Sequence, residues 1–537
     1  MRIKIAYYLL ILTVFFSCQQ KPSSNEIANV IESFVEESDL DSNLFAAYQM
    51  NNYKPIWVKS GGLKNTGENY FEALEEIKYD GLEKEDYEIK ELADHLAKIK
   101  ESKDPTTHAK LDILITQSFL SLASDLNIGR IDPAAINIEW KMDRKDPTLN
   151  YQELLLSIAN GGSIKEILDD LRPGNIKYAE LRSMLEKEWS NSAEKTEVIK
   201  SFEGKIQIGD QHEAIPAIRE KLFLLGDLKV KPEGKQSIYD ETLFDAVKVF
   251  QKRHGLIDDG VIGADFLAAI NVKSSDLMTK IKVNMERLRW LPDFDDEERN
   301  QVIVNIPDFH LYYIKQGDTI FTSKVVVGKD YRQTPVFKSE MTYLVFSPTW
   351  TLPETILWED AIPSIQKDED YLVENNMKVL DLQEKEVNYK KINWRKLDNK
   401  EDFPYLIRQA PGTSNPLGNV KFMFPNEHYI YIHDSPAQGL FSKDERTFSS
   451  GCIRMDKPKE FAALLLEDAS DWDEEKIVEA MNLEEEKKVD LPQTQDVWIL
   501  YLSVWGKEGK IEVREDVYGM DKKLAKALSL PLSEYFL

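Results

Sequence analysis

Two side chains in the C-terminal half of the chain could carry nucleophilic chemistry. Cys452 lies in the segment TFSSGCIRMDKP at residues 447–458, and His433 precedes it by 19 positions, at the end of the alternating segment YIYIHD. Only the thiolate form of a cysteine attacks, and a neighbouring imidazole can take the thiol proton and later return it to a leaving amine. The intervening loop is long enough to bring the two groups together. The pair therefore predicts a cysteine nucleophile with a histidine base.

Three other interpretations of Cys452 were weighed. A disulfide lacks a partner if Cys18, the only other cysteine, is lipidated. A metal ligand is disfavoured because the chain has no CxxC or HExxH motif, so no metal is expected. A small buried filler stays open, because an isolated cysteine is more often a small hydrophobe, just as a lone histidine is more often a core or surface residue.

The residues around Cys452 must position it. Gly451 permits a tight turn, so we expect the amides of Gly451 and Cys452 to face a developing oxyanion. A helix is predicted over residues 458–466, and its N-terminus would lower the thiol pKa. In the strand predicted for residues 429–434, Tyr429, Tyr431 and His433 share one face. We interpret the two tyrosines as packing residues.

Composition and the N-terminus bound the class of protein. A length of 537 residues is too great for one core and predicts about three domains, with 42% hydrophobic residues available to build them. The formal net charge of -26 argues against nucleic acid as a partner.

Residues 1–18 combine a basic start with a short apolar run, and residues 15–18 (FFSC) resemble a bacterial lipobox. These features predict an exported protein that carries lipid on Cys18. The alternative, which we favour less, is an ordinary signal peptide in which the cysteine occurs by chance.

The pattern along the chain predicts a multidomain α+β protein. Residues 25–205 have helical periodicity and predict a helical scaffold, 206–272 a small three-helix module, and 273–292 a connecting helix. Residues 297–525 contain short β-branched and aromatic segments typical of a mainly β domain. A helical, charged insertion at about 353–411 is either a lid or a decorative element, and we favour a lid that caps the site.

The three-helix module resembles the peptidoglycan-binding domain type 1 family. The resemblance rests on residues of its predicted core and turns: Leu222, Leu225, Gly226, Ala246, Val247, Phe250, Gln251, Gly255, Leu256 and residues 259–263 (DGVIG). These residues support the fold more than any ligand. Whether this copy grips the cell wall or only spaces other domains stays open.

The β domain resembles the YkuD family of L,D-transpeptidase catalytic domains, in its large YcbB-type subgroup. The family pattern of a histidine, a gap and a Ser/Thr-x-Gly-Cys turn followed by a basic residue fits His433, Ser449, Gly451, Cys452 and Arg454. Ser450 stands where the family more often has histidine. Further matching segments are 305–307, 326–329, 332–335, 348–351, 408–409, 411–412, 417–418, 421–422 and 513–521.

The resemblance implies a reaction and roles for these residues. Cys452 would attack the carbonyl that joins the L-centre of diaminopimelate to the terminal D-Ala of a tetrapeptide stem, and His433 would move the proton. A second stem would resolve the thioacyl-enzyme into a 3-3 cross-link, without a metal or organic cofactor. Ser449 would orient His433 through its backbone carbonyl. Arg454 either holds a substrate carboxylate or pairs with Asp456.

The same resemblance leads to expectations about Ser450, alternative functions, partners and location. Ser450 either donates to substrate or fills the turn, with the turn favoured. Alternative functions are an L,D-carboxypeptidase or D-amino-acid exchange by the same cysteine, and a non-catalytic wall-binding lipoprotein. Expected partners are peptidoglycan stem peptides, a membrane through the lipid anchor, cell-wall synthases, and carbapenem-type lactams as covalent inhibitors. The expected location is the periplasm, anchored preferentially to the outer membrane.

Overall fold

The computed structural model describes residues 21–37, 42–144, 149–191, 198–232, 234, 236–292, 299–397 and 403–530. The predicted signal peptide and Cys18 lie outside the described residues. The chain forms two compact units, of which the first contains described residues up to 78, 82–127 and 149–172. In the described part of the chain, no helix is both long and apolar enough for a membrane span.

The first unit is helical, as the sequence predicts. Its elements are α1 Ser24–Glu37, α2 Ser42–Met50, the hairpin β1 Val58–Lys59 and β2 Gly62–Leu63, α3 Asn65–Glu76, α4 Ile89–Ile99, α5 Pro105–Ile128, α6 Tyr151–Ala159 and α7 Ile164–Leu171. Fully buried Asp112 on α5 accepts backbone N–H groups of Ile56, Trp57 and Val58 at 3.0, 2.8 and 2.9 Å. A buried carboxylate needs such partners, so this residue fixes the entry to the hairpin.

The second unit contains described residues 79–81, 128–144 and those from 173 onward, and its helices begin with a long helix and the small module. Its first helices are α8 Ile176–Asn191, then α9 Ile215–Leu224, α10 Glu241–Arg253 and α11 Ala264–Ile270. The three helices of the module enclose their own core, which includes Leu222, Val247 and Phe250. The Gln251 amide accepts from Gly260 N–H at 2.8 Å and donates to Asp259 at 3.0 Å, which closes the predicted turn.

Helix α12 Ser274–Trp290 follows the module and is a core helix of the second unit. Arg289 on α12 donates to the Tyr178 hydroxyl of α8 at 2.9 Å and pairs with Glu286 at 2.8 Å. Both charged side chains are buried, so their pairing is what makes their burial tolerable. Helices α8 and α12 thus share one hydrophobic core with the β domain.

The β domain is built on a nine-stranded sheet that closes on itself. Its strands are β3 Gln301–Asn305, β4 His310–Lys315, β5 Asp318–Gly328, β6 Phe337–Phe346, and later β11 Val420–Met423, β12 Ile432–His433, β13 Thr447–Ser449, β14 Ile453–Met455 and β15 Lys487–Leu500. The order is β13-β5-β14-β12-β11-β6-β15-β3-β4, and β4 pairs with β5 as well. This topology places β12 and β14 side by side in the sheet.

The insertion is helical in its first half and contains a small sheet that the sequence analysis did not predict. Its elements are β7 Trp350–Thr351, α13 Glu354–Ile356, α14 Ile362–Lys367, α15 Tyr371–Glu374, β8 Met377–Leu380, β9 Glu386–Val387 and β10 Leu406–Gln409. The four strands pair in the order β7-β10-β8-β9 around a separate core with Trp394 and Ile407. Strands this short carry too little alternation to be distinguished from loops in a charged sequence.

The chain ends with elements that close the β domain. They are α16 Pro458–Leu465, α17 Glu474–Ala480, the hairpin β16 Val504–Lys507 and β17 Lys510–Val513, and α18 Met520–Leu528. Helix α16 confirms the helix predicted after the Cys452 turn. Arg287 of α12 pairs with Asp521 of α18 at 2.5 Å, so the C-terminal helix is fixed to the core by a buried ion pair.

Candidate active site

The parallel pairing of β12 and β14 brings the predicted nucleophile and base to neighbouring strands. His433 is paired with Arg454, and the N–H of Ile453 donates to the carbonyl of Tyr431 at 3.0 Å. Cys452 immediately precedes β14. The strand predicted over 429–434 is shorter than expected, because Tyr429 has a left-handed φ of 56° that interrupts it.

The turn that carries Cys452 is closed by a single hydroxyl. Ser449 Oγ donates to the carbonyl of Cys452 at 2.6 Å and accepts from the amide of Gly451 at 3.1 Å. Gly451 has a φ of 115°, which a residue with a Cβ rarely adopts. The prediction that the Gly451 amide faces an oxyanion is therefore corrected, because that amide is engaged inside the turn. The Cys452 amide remains the candidate donor.

Thr334, in the segment between β5 and β6, supports the turn and was not singled out by its side-chain type. Its hydroxyl donates to the carbonyl of Gly451 at 2.6 Å and accepts from the amide of Gly328 at 2.9 Å. The Tyr518 hydroxyl in turn donates to the carbonyl of Gly328 at 2.6 Å. A fully buried threonine with both bonds satisfied fixes the backbone next to the nucleophile. The only sequence signal for Thr334 is that it lies in the segment 332–335, which matches the YkuD family pattern.

His433 is 3% exposed, and its Nδ1 lies 2.5 Å from the carbonyl oxygen of Asp434. A carbonyl only accepts, so Nδ1 carries the proton in the neutral ring and Nε2 is the basic nitrogen. Burial lowers the pKa of His433 to about 3, and the positive charges of Arg454 and Lys421 lower it further. The imidazole is therefore neutral at pH 7 and can accept a proton.

The support of His433 differs from the prediction that Ser449 orients it. The Ser449 carbonyl accepts from the amide of Lys329 at 3.0 Å, whereas the imidazole contacts the carbonyl of Asp434. The Asp434 carboxylate accepts from the amide of Asn419 at 2.8 Å. A Cβ on Gly418 would lie 2.4 Å from that carboxylate. Gly418 is thus required for the loop to approach Asp434.

The Cys452 thiol is half-buried and protonated at rest. Its Sγ donates to the carbonyl of Tyr429 at 3.7 Å. Burial raises the pKa of the Cys452 thiol, while the nearby Tyr431 and the charge of Arg454 partly oppose this. Desolvation is the larger effect, so the net shift is upward, and the contribution expected from the N-terminus of α16 stays a prediction.

Tyr431 is a functional candidate that the sequence analysis interpreted as packing. Its side chain lies close enough to Cys452 and Trp350 to interact with both, and burial and the neighbouring thiol raise its pKa. Its ring lies edge-on to His433, with 5.7 Å between the ring centroids. Tyr431 thus contacts both predicted catalytic groups, and Trp350 links it to the insertion. An alternating strand gives no sign of such a role.

Arg454 and Ser450 differ in what they contact. Among the residues that the structure describes, Arg454 has no ion pair with Asp456, and its Nε has no hydrogen-bond partner. Ser450 is exposed, and its Oγ accepts from Arg332 at 2.9 Å. Arg332 also pairs with Glu359 and with Asp360 of the insertion, the latter at 3.2 Å. Ser450 therefore connects the turn to the insertion.

Comparison with known families places this site in a known class. The family described as "L,D-transpeptidase catalytic domain" matches residues 299–478. The chain contains an L,D-transpeptidase catalytic domain of the YkuD family. Before this domain, "Putative peptidoglycan binding domain" matches residues 211–270, and "Scaffold domain" matches residues 42–185. Cys452 and His433 lie inside the transpeptidase match, and the three matches follow the predicted domain order.

Individual relatives are similar over part of their length. A protein of Haemophilus influenzae named "Putative L,D-transpeptidase" is 37% identical over 252 residues, which are 47% of this chain and 50% of the relative. The match thus spans about half of that relative. The solved L,D-transpeptidase of Xylanimonas cellulosilytica aligns over 56% of this chain and 99% of its own, at 13% identity and a TM-score of 0.17. That of Stackebrandtia nassauensis covers 55% and 94%, at 13% identity and a TM-score of 0.22. TM-scores this low do not support a conclusion about shared function.

Proposed function

We propose that this L,D-transpeptidase domain forms 3-3 peptidoglycan cross-links through a thioacyl-enzyme on Cys452. The observation that carries the proposal is the pairing of β12 with β14, which sets a neutral, buried His433 beside the strand that follows the thiol. A neutral imidazole next to a protonated thiol is the starting state for general-base activation of the nucleophile.

The reaction proceeds in two transfers. Cys452 Sγ attacks the carbonyl between the L-centre of diaminopimelate and the terminal D-Ala, while its proton passes to His433 Nε2. The C–N bond breaks, and the imidazolium returns the proton to the departing D-Ala amine. The side-chain amine of a second stem then attacks the thioester, gives up a proton to His433, and releases the thiol. The amide of Cys452 is the donor proposed for the oxyanion.

Two alternatives use the same chain differently. Water or another amine resolving the same thioester would give an L,D-carboxypeptidase or D-amino-acid exchange. A non-catalytic wall-binding lipoprotein is the other alternative, and the position of Tyr431 beside both Cys452 and His433 argues against it, since binding alone needs no such arrangement around a thiol. The proposed location is periplasmic, with lipid on Cys18 and the outer membrane favoured. Proposed partners are stem peptides, cell-wall synthases and carbapenem-type lactams.

The test is a digest of tetrapeptide-containing wall incubated with the full chain and analysed by mass spectrometry. Dimers joined through diaminopimelate support transpeptidation, whereas free tripeptides with released D-Ala indicate the carboxypeptidase. Cys452→Ala should abolish both. His428→Ala is the matched control, because His428 packs edge-on against Phe337, at 5.1 Å between ring centroids, rather than at the thiol. Unchanged products from Cys452→Ala would overturn the mechanism.

A further inference from the structure

Three side chains form a row across the sheet at the active site. Lys421 on β11 is paired with His433 on β12, and His433 is paired with Arg454 on β14. Residues that face each other on neighbouring strands project from the same side of a sheet. The imidazole is therefore flanked by one cationic side chain on each side.

Neither cation is held in an ion pair by the residues that the structure describes. Within the described part of the chain, no carboxylate forms an ion pair with Lys421 or Arg454, and Arg454 Nε has no hydrogen-bond partner. Glu486 is the carboxylate that acts on Lys421 from a distance, but it is bound by the amide and hydroxyl of Thr349 at 3.1 and 2.6 Å. Burial lowers the pKa of both Lys421 and Arg454. Two partly desolvated cations without a directly paired carboxylate are costly, and a bound anion would offset that cost.

The chemistry at His433 indicates which anion this is. The amine that leaves, D-Ala, carries its carboxylate on the same carbon as its nitrogen. Standard bond lengths put that carboxyl carbon about 2.5 Å from the nitrogen. Whenever the amine is hydrogen-bonded to His433, its carboxylate must therefore lie beside the imidazole. Lys421 and Arg454, the neighbours of His433 across the sheet, are the two cations beside that position.

The same geometry holds for the amine that enters. In the proposed 3-3 transfer the acceptor is the side-chain amine of diaminopimelate, and its carbon of D configuration also bears a carboxylate. Leaving and entering amines are thus both α-amino carboxylates that exchange protons with one imidazole.

We propose that Lys421 and Arg454 together form a carboxylate clamp that binds the α-carboxylate of both the leaving and the entering amine at His433. This assignment rests on the proposed function and specifies its substrate class. Donors must end in a free carboxylate next to the scissile amide, and acceptor amines must carry one on the adjacent carbon. A salt-bridged carboxylate also fixes the amine nitrogen relative to His433.

A purely electrostatic role for the two cations makes a different prediction. Both charges also lower the pKa of His433, so removing one could change the rate through the imidazole alone. A rate change caused by the His433 pKa alone would be equal for substrates with and without the carboxylate. Loss of a carboxylate clamp would instead slow the substrate that has the carboxylate more than the one that lacks it.

The experiment compares a donor tetrapeptide ending in D-Ala with the same peptide ending in D-alaninamide. We expect the wild-type chain to prefer the acid, and Lys421→Met to reduce the acid-to-amide ratio of kcat/KM by about 10-fold to 100-fold. Lys421→Arg should restore most of the ratio. Lys324→Met is the matched control, because Lys324 is an exposed lysine that faces a different histidine, His310, across β4 and β5.

The acceptor side is tested with D-alanine and D-alaninamide as the amines that resolve the thioester. The wild-type chain should prefer D-alanine, and Lys421→Met should lose this preference to the same extent. Equal rate losses for acid and amide in Lys421→Met would overturn the clamp. Binding of both donor peptides to Cys452→Ala by calorimetry gives the acid-to-amide ratio independently of turnover. If the wild-type chain turns over neither donor, the proposed function fails, while the clamp is still judged by that binding ratio.

Discussion

Burial acts in opposite directions on the pKa values of His433 and Cys452, so the two groups are both neutral at pH 7. The imidazole pKa falls to about 3 because its charged form is desolvated beside two cations, and the thiol pKa rises because the thiolate is desolvated. The site therefore does not store a thiolate–imidazolium ion pair. In the proposed mechanism, the thiolate therefore forms only when a substrate carbonyl is in place.

The protonated resting thiol predicts how the protein reacts with a simple alkylating agent. The rate of iodoacetamide modification of Cys452 should rise with pH and should not level off below the ordinary thiol pKa of about 8.5. Intact-mass measurements between pH 5 and 10 follow this rate. A plateau already present at pH 6 would show an ion pair and contradict the assignment.

Tyr431→Phe should raise the thiol pKa further, because the neighbouring Tyr431 side chain acts to lower that pKa and so favours the thiolate. We expect the alkylation profile to move to higher pH and kcat to fall by about 10-fold or more. Tyr429→Phe is the matched control, since the Tyr429 side chain is 83% exposed and only its backbone carbonyl meets the thiol. Identical profiles for wild type and Tyr431→Phe would remove Tyr431 from the mechanism.

The depressed pKa of His433 also predicts a stability effect. The folded state binds this proton only near pH 3, whereas an unfolded histidine binds it near pH 6.5, so unfolding takes up a proton between those values. The contribution of His433 is present above about pH 6.5 and is lost as the pH falls toward 3. Urea unfolding of His433→Gln should therefore show a weaker loss of stability between pH 6.5 and 4 than the wild type. Parallel pH dependences would contradict a neutral buried imidazole.

Sequence predicted the parts of this site that are defined by residue type and order. Cys452, His433 and the Ser-x-Gly-Cys turn follow from chemistry and resemblance, and the helix at 458 follows from periodicity. The hydrogen bonds of Ser449 and Gly451 did not follow, because which backbone groups a hydroxyl contacts depends on the closed turn. Pairing of β12 with β14 is likewise non-local and leaves no local pattern.

The residues that sequence missed share one property: each acts through a partner far along the chain. Thr334 and Tyr518 meet at the backbone of Gly328, and Lys421 becomes relevant only through its register with His433. Tyr431 was assigned to packing because alternation describes the face of a strand but not the group opposite it. The small sheet of the insertion was missed because its strands are short.

Removal of the Thr334 hydroxyl should loosen the turn. Thr334→Val leaves the carbonyl of Gly451 and the amide of Gly328 without their buried partner, which costs about 1–3 kcal/mol in the free energy of unfolding. We expect a lower thermal midpoint and a lower kcat, because the nucleophile is no longer fixed. Thr334→Ser keeps the hydroxyl and is the control for the lost methyl group. Loss of stability in both variants alike would point to packing rather than hydrogen bonding.

Arg332 connects the Cys452 turn to the insertion, so its removal should free the insertion without unfolding the domain. Glu359 and Asp360 are exposed, and ion pairs with exposed partners contribute about 0–1 kcal/mol, so Arg332→Gln should hardly change the thermal midpoint. Hydrogen exchange should nevertheless accelerate in the segment that contains α13 and α14, since its link to Ser450 is lost.

Lys378→Gln is the matched control for that experiment, because it removes an ion pair between Lys378 and Glu386 that lies wholly within the insertion, at 2.9 Å. Faster exchange in α13 and α14 for Arg332→Gln but not for Lys378→Gln would assign the effect to the link with the turn. Equal exchange in both variants would mean that the insertion is held by its own core. In that case Trp350, which lies next to Tyr431, would be the remaining contact by which the insertion acts on the thiol.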